Sequence, residues 1–372
     1  MATIRDVAKM AGVSTSTVSN VINGRGFVEE GLRTRVEEAI GTLNYMPNKA
    51  ARRLRRQTRP LRPLKVLGLS SMENYTEGIA VMTETVRDAA REYGFKLIEG
   101  LCEGDDIQAQ NELINGLVDR DVDALICFPA DCEGITPSVR LCNMRGIPFI
   151  ALNRSVLGGE ATAVVKSDDY LIGYSLGMYA ALSGRLGRIL ELEYRSSDFN
   201  QVDRRRGFHD VVESSPGLDL LERLTMPWSA DKNWDEAFGI LKETLSRQPS
   251  VNVIYCHSDE LALLAVKALG SLGRLHPADG PEHVMVLGVD GNHTALEAIR
   301  GGYMDATAEQ MLARQARRAV KLALQAIGDE PIQQRISVVP TRLIHRGNIG
   351  YLNDLWAMGS SQETETRETG VQ

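Results

Sequence analysis

Apolar residues near the start of the chain recur at helical spacing. Ile4, Val7, Ala8 and Ala11 fall at i, i+3, i+4 and i+7, on one face of a helix over residues 3–11. Thr3 with Asp6 three residues on forms a capping-box pattern, with Asp in place of the usual Glu or Gln. Gly12 supplies a left-handed stop. Ser14 is a good N-cap for a second helix, TSTVSNVIN, in which Val18, Val21 and Ile22 share a face. A third helix is predicted from about Glu30 to Asn44, with Leu32, Val36, Ala39, Ile40 and Leu43 along its inner stripe. Helix, short glycine turn, helix and supporting helix make up the helix-turn-helix plan.

After residue 65 the pattern changes. The short apolar runs VLGLS, FKLIEG, ALICFP, IPFIALN, AVVKSD, RILELE, NVIYCHSD, VMVLGVDG and ISVVPTRLI read as strands. Helical patterns such as ELALLAVKALGSLG and QMLARQARRAVKLALQAIG lie between them. Repeated βα units predict doubly wound parallel sheets. A body of this length is large for one sheet, so two lobes are expected, with ligand binding beyond the carboxyl ends of the strands. The fold class is therefore an all-α helix-turn-helix head on a two-lobed α/β body. The closing SQETETRETGVQ has almost no apolar residues and reads as a disordered tail.

Charge sharpens the division. The 372 residues carry a net charge of −7, but residues 1–65 hold 13 Lys+Arg against 5 Asp+Glu. The remainder holds 29 against 44. A basic head on an acidic body suits a polyanion-binding module on a soluble carrier, or is chance segregation. The five cysteines form no C-x-x-C pair and fit a reducing compartment. No signal peptide is read at the start, where MATIRDVAKM carries charges, and no apolar run is long enough for a membrane span. The phosphate-loop, nucleophile-elbow and zinc-protease motifs are missing, and the six histidines lack metal-ligand spacing. Neither an enzyme nor a cofactor or metal protein is expected.

The second helix carries the chemistry. Thr15, Ser16, Thr17, Ser19 and Asn20 are short hydrogen-bonding side chains with no acid among them. Such a face either is a solvated surface or approaches base edges and phosphates without repulsion. The words DVAKMAGVSTSTVSNVING and TRVEEAIGTLNYMPNKAARRL closely resemble the lactose-repressor (LacI/GalR) family of bacterial regulators over residues 2–56. The resemblance implies that Thr15, Ser16 and Asn20 read bases in the major groove. It places Thr17, Ser19, Asn23 and Tyr45 on phosphates. All three base-facing positions are small here, which implies few or water-mediated base contacts.

NKAARRLRR follows Pro47, a favourable helix start. By itself it reads as a solvated linker. By resemblance it is the hinge helix that orders on DNA, with Ala51, Arg52, Leu54 and Arg55 at the duplex and Leu54 wedged into the minor groove.

In the body, VLGVDGNHTALEAIRGGYMDATAEQ resembles periplasmic sugar-binding proteins of the ribose type, a fold shared by the effector domains of lactose-repressor relatives. The resemblance implies that Asp290 takes ligand hydroxyls with Gln310 beside it, and a carboxylate suits adjacent hydroxyls. Without it, Asp290 is a strand-end turn residue. Arg204 matches a ligand-reaching arginine and Trp228 a ring that stacks on the sugar, although a surface charge and a core ring are the alternatives. Asn153 and Arg154 stand where ribose-type proteins have Asp-Arg, and Ser258 stands where Asn is usual. SMENYTEG, with Tyr75, replaces the usual loop after the first strand. This change leaves the ligand open between a polyol, an open-chain sugar and a molecule with a cationic group, and within the regulator class a purine-type effector is the main alternative to a sugar.

The expected divisions are a DNA-binding domain over 1–46, a hinge and linker over 47–64, an effector and dimerisation domain over 65–356, and a tail over 357–372. The expected protein is a cytoplasmic, nucleoid-associated homodimeric repressor. It would bind a pseudo-palindromic double-stranded DNA operator and answer to a small sugar or polyol; the alternatives are the same regulator with a purine-type or other non-sugar effector, or a sugar-binding sensor or transport component.

Overall fold

The structure, a computed structural model, describes residues 2–23, 28–43, 45, 64–73, 76–184, 186–194, 199–227, 234–278 and 280–351. The hinge positions Ala51, Arg52, Leu54 and Arg55, together with Tyr75, Trp228 and the tail 357–372, lie outside the described residues.

The head consists of α1 (Ile4–Ala11), α2 (Thr15–Asn23) and α3 (Glu30–Thr42). Its ends follow the local chemistry. The Thr3 hydroxyl accepts from the Asp6 amide while the Asp6 carboxylate accepts from the Thr3 amide, closing a capping box. Gly12 ends α1 at φ 66°, a left-handed conformation open to glycine. The Ser14 hydroxyl accepts from the Thr17 amide at 3.0 Å and caps α2. The three helices bury Val7, Ala8, Ala11, Val18, Val21, Ile22, Val36, Ala39 and Ile40 against one another. So small a core leaves each cap a large share of the head's stability.

The chain divides into two compact units, with main crossings after Ser167, Met311 and Val339. The first unit's sheet is built from β1 (Lys65–Met72), β2 (Phe95–Cys102), β3 (Ala124–Cys127), β4 (Phe149–Leu152), β5 (Ala163–Ser167) and β11 (Ile336–Val339). Its spatial order is β11-β5-β4-β3-β1-β2, with parallel pairing throughout. The helices α4 (Glu77–Glu92), α5 (Ile107–Asp119), α6 (Thr136–Arg145) and α12 (Leu312–Ile327) belong to this unit. The buried runs of β1, β3 and β4 mark strands covered on both faces.

The second unit repeats the plan. Its strands are β6 (Gly187–Tyr194), β7 (Leu218–Met226), β8 (Val253–Cys256), β9 (Met285–Asp290), β10 (Ala306–Glu309) and β12 (Arg342–His345), in the order β12-β10-β9-β8-β6-β7. Its pairs are parallel except β10–β12, which is antiparallel. Its helices are α7 (Asp169–Leu182), α8 (Phe199–Ser214), α9 (Asp235–Arg247), α10 (Asp259–Ser271) and α11 (His293–Arg300).

Two expectations need correction. ISVVPTRLI is two strands in two sheets, because Pro340 lacks an N–H and cannot continue a ladder. The chain returns to the second unit at that proline. Two strands that the apolar runs did not announce also exist. LDLLERLTM forms edge strand β7, which exposes polar residues, and ATAE forms the short β10.

Candidate functional site

The residues expected to face DNA lie on α2. Thr15, Ser16 and Asn20 are exposed, while Thr17 and Ser19 are half-buried. The Ser14 hydroxyl pairs with those of Ser16 and Thr17 at 2.6 and 2.8 Å, so the cap holds both hydroxyls in register. No acidic residue stands in the first turn of α2, which leaves the positive end of its dipole uncompensated. Asn23 closes the helix. Tyr45 packs beside the apolar core, and burial pushes its phenol up from the ordinary value. At neutral pH it is a neutral hydroxyl that can donate to a phosphate.

In the first unit, Asn153 follows the carboxyl end of β4 at φ 66°. A non-glycine residue pays about 1 kcal/mol or more to stay there, and such strain gathers at binding sites. The Asn153 amide donates to Gln315 Oε1 at 3.4 Å, and Gln315 donates to Ser167 Oγ at 3.3 Å. Arg154 Nη1 donates to the carbonyls of Pro129 and Ala130, and its guanidinium lies 4.8 Å from the Phe128 ring centroid.

The second unit gathers more of the expected residues, at the carboxyl ends of its strands. Asp290 ends β9 at φ 121°, also left-handed, and accepts from the Gln310 amide. Burial pushes the Asp290 carboxyl up, while Arg204 and the Gln310 amide pull the other way. Arg204 is only 5% exposed, so it is no surface charge. Its Nε donates to Asp169 Oδ1 at 2.9 Å, and its Nη1 donates to the His257 carbonyl at 2.8 Å. Ser258 caps α10 through Leu261 and shares a 3.0 Å hydrogen bond with the Tyr194 hydroxyl at the end of β6.

Glycines hold this arrangement close. A Cβ on Gly173 of α7 would stand 1.8 Å from the Arg204 carbonyl oxygen, and one on Gly207 of α8 would stand 2.0 Å from that of Tyr170. The two helices therefore cross backbone to backbone beside the Arg204–Asp169 pair. Next to Asp290, Asp259 accepts from the Gly291 and Asn292 amides and the Thr307 hydroxyl, which fixes the strand-end turn.

Sequence reasoning missed Asp169, Tyr194, His257, Glu191 and Asp259. The acids Asp169 and Asp259 each open a helix and look like ordinary first-turn charges. Among the described residues, Glu191, Glu193 and His257 place their potential ligand atoms within 4.8 Å of one another. Glu191 is hydrogen-bonded by His209 and His257, and Glu193 is paired with Arg205 and Arg223, so both carboxylates already have protein donors.

A family model described as the bacterial regulatory proteins, lacI family, matches residues 3–48, and one described as the periplasmic binding protein domain matches residues 68–331. The chain belongs to the periplasmic binding protein domain family and carries a lacI-family helix-turn-helix domain as its head. It is 28% identical over 350 residues to the ribose operon repressor of Halalkalibacterium halodurans, covering 93% of this chain and 96% of that one. It is also 28% identical over 295 residues to the HTH-type transcriptional repressor PurR of Pectobacterium carotovorum, covering 78% and 81%. Among solved structures it resembles an ABC transporter solute binding protein from Bacillus halodurans with bound myo-inositol. The TM-score is 0.70 at 27% identity, covering 78% of this chain and 97% of that one. These relatives are repressors and binding proteins, not enzymes. The chain is thus a DNA-binding transcriptional regulator under the control of a small-molecule ligand. Among the described residues, no helix is long and apolar enough to cross a membrane.

Proposed function

We propose that this regulator is a cytoplasmic repressor whose effector is a small sugar or polyol. The observation that carries this reading is the strand-end group of Asp290, Gln310 and Arg204. A half-buried carboxylate, an amide and a guanidinium stand beside one another at the carboxyl edge of one sheet. A carboxylate accepts from two neighbouring hydroxyls, and a guanidinium donates to ring and hydroxyl oxygens. Ser258 joins them in the second unit. By the family resemblance Asn153, Arg154 and Trp228 are further effector-binding residues, Trp228 as the stacking ring. The myo-inositol in the solute binding protein named above supports a polyhydroxylated ligand.

Two heads of a homodimer read a pseudo-palindromic operator through Thr15, Ser16 and Asn20. Thr17, Ser19, Asn23 and Tyr45 sit on phosphates, and the hinge supplies Ala51, Arg52, Leu54 and Arg55. Residues 1–46, 47–64 and 65–356 act as reader, hinge and effector domain. Effector binding is coupled to DNA binding because the effector favours one state of the hinge over the other. A purine-type effector is the second reading, favoured by the equal identity to a repressor named PurR.

A thermal-shift screen of the purified protein against monosaccharides, polyols and nucleobases separates the two. The expected result is a dose-dependent rise in Tm with one sugar or polyol and none with the bases. A rise with nucleobases alone replaces the first reading by the second.

A further inference from the structure

We propose that Glu191 is a positioning residue for Arg204, acting through His257, and so sets how tightly the effector is held. This rests on the reading that Arg204 belongs to the effector site.

The connection is short and wholly within the second unit. Glu191 lies on β6, buried beneath α8, and its two carboxylate oxygens face two imidazoles. His257 Nε2 lies 2.8 Å from Oε1 and His209 Nε2 lies 2.7 Å from Oε2. A carboxylate only accepts, so both imidazoles carry their proton on Nε2. His257 Nδ1 is buried with no hydrogen-bond partner among the described residues, which agrees with a bare lone pair there. His257 stands just past the end of β8, where the ladder stops. Its amide still donates to the Leu192 carbonyl, but its own carbonyl turns to Arg204 Nη1. Glu191 therefore grips the side chain of the residue whose carbonyl grips the arginine. Arg204 and His209 also share α8, so the helix is fastened at both places. Phe208 adds a ring stacked on Tyr255 at 3.9 Å between centroids.

The arrangement predicts different outcomes for two substitutions of similar size. Glutamine at 191 can turn its oxygen to His257 and its amide to His209. His209 is a quarter exposed at its side chain, so it can change tautomer and reach water. Methionine fills the same space and holds neither imidazole.

The test compares Glu191→Gln, Glu191→Met and Arg204→Lys, singly and combined. D-ribose and myo-inositol serve as calorimetric probes, and exchange of the Arg204 Nε–H is followed by NMR without ligand. The expected result is about ten-fold weaker binding of whichever probe binds in Glu191→Met, the size of one lost charge-assisted hydrogen bond. Glu191→Gln stays within about three-fold, and Arg204→Lys adds little to Glu191→Met. Arg204 Nε–H exchange is faster in Glu191→Met than in Glu191→Gln. Equal binding by the Gln and Met variants, additive losses with Arg204→Lys, or unchanged exchange in Glu191→Met overturns the proposal. If neither probe binds the unaltered protein, neither D-ribose nor myo-inositol is its effector, and the exchange measurement still decides the role of Glu191. If Glu191→Met does not fold, His257→Leu carries the same expectation for the arginine signal.

Discussion

Replacing Gly173 by alanine tests the helix crossing that seats Arg204. The new Cβ would stand 1.8 Å from the Arg204 carbonyl oxygen, 2.7 Å from its carbonyl carbon and 2.9 Å from the Phe208 amide nitrogen. All three are backbone atoms, so no side-chain rotation relieves the overlap. The helices must part by more than an ångström, and the 2.9 Å Arg204–Asp169 bond parts with them. Overpacking costs about 1–3 kcal/mol, and a clash with rigid backbone belongs at or above the upper end. Alanine returns about 1 kcal/mol of helix propensity. The net loss is roughly 2 kcal/mol, or a fall in Tm of about 4–8 °C for a unit of this size. Gly239→Ala on α9 is the control. Its Cβ meets nothing within 4 Å among the described residues, so it stabilises by about 0.4–1 kcal/mol. The assay is urea unfolding of both variants followed by near-ultraviolet circular dichroism, with effector titration at matched folded fraction. Opposite signs for the two glycines, and weaker effector binding for Gly173→Ala alone, are expected. Equal or greater stability of Gly173→Ala than Gly239→Ala would refute the close crossing.

Ser14→Ala removes the cap of α2 and the tether of the Ser16 and Thr17 hydroxyls. It should cost the head about 1 kcal/mol by NMR-monitored melting and weaken DNA binding. Burial opposes ionisation of Glu191, but the hydrogen bonds from His209 and His257 prevail and bring its carboxyl from 4.5 down to about 2. Its stabilisation is full above about pH 4.5 and is lost as pH falls towards 2. Burial also lowers His257 from its ordinary value of 6.5, which removes stability in the same direction as the solution is acidified. Glu193 with Arg205 and Arg223, and Arg204 with Asp169, are the other charges around this carboxylate. Glu191→Gln should therefore flatten acid unfolding between pH 4.5 and 2 relative to the unaltered protein. Leu54→Ala should weaken specific operator binding far more than non-specific binding in fluorescence anisotropy, and equal loss on both removes the wedge assignment.

The head was legible because its signals are local. Thr3 with Asp6, Gly12 and Ser14 act within four residues of themselves, and the structure closes each cap where the letters put it. The alternating body was legible in class because strands buried on both faces leave dense apolar runs such as ALIC and FIAL. Edge strand β7 was missed because one side faces water and its letters mix Leu with Asp, Glu and Arg. The splitting of ISVVPTRLI depends on where two units meet the chain, which no window around Pro340 contains. The seat of Arg204 was missed for the same reason. Asp169, Glu191 and His257 lie 35, 13 and 53 positions from it in the chain, and folding alone brings them to it. The positive φ at Asn153 and Asp290 is likewise invisible in letters; among the described residues Asp121, Met311 and Asp329 share that sign, so it does not mark the effector site by itself.

The most direct test of the account is selection of binding sites from random double-stranded DNA by the purified full-length protein. Affinities of the recovered sequences are then measured at fixed salt, with and without the ligand that raises Tm. The account predicts two-fold symmetric sequences bound at least about a thousand-fold more tightly than random DNA, with an affinity that shifts when the ligand is added. Recovery of no common sequence, or a selected site whose affinity ignores the ligand, would contradict it.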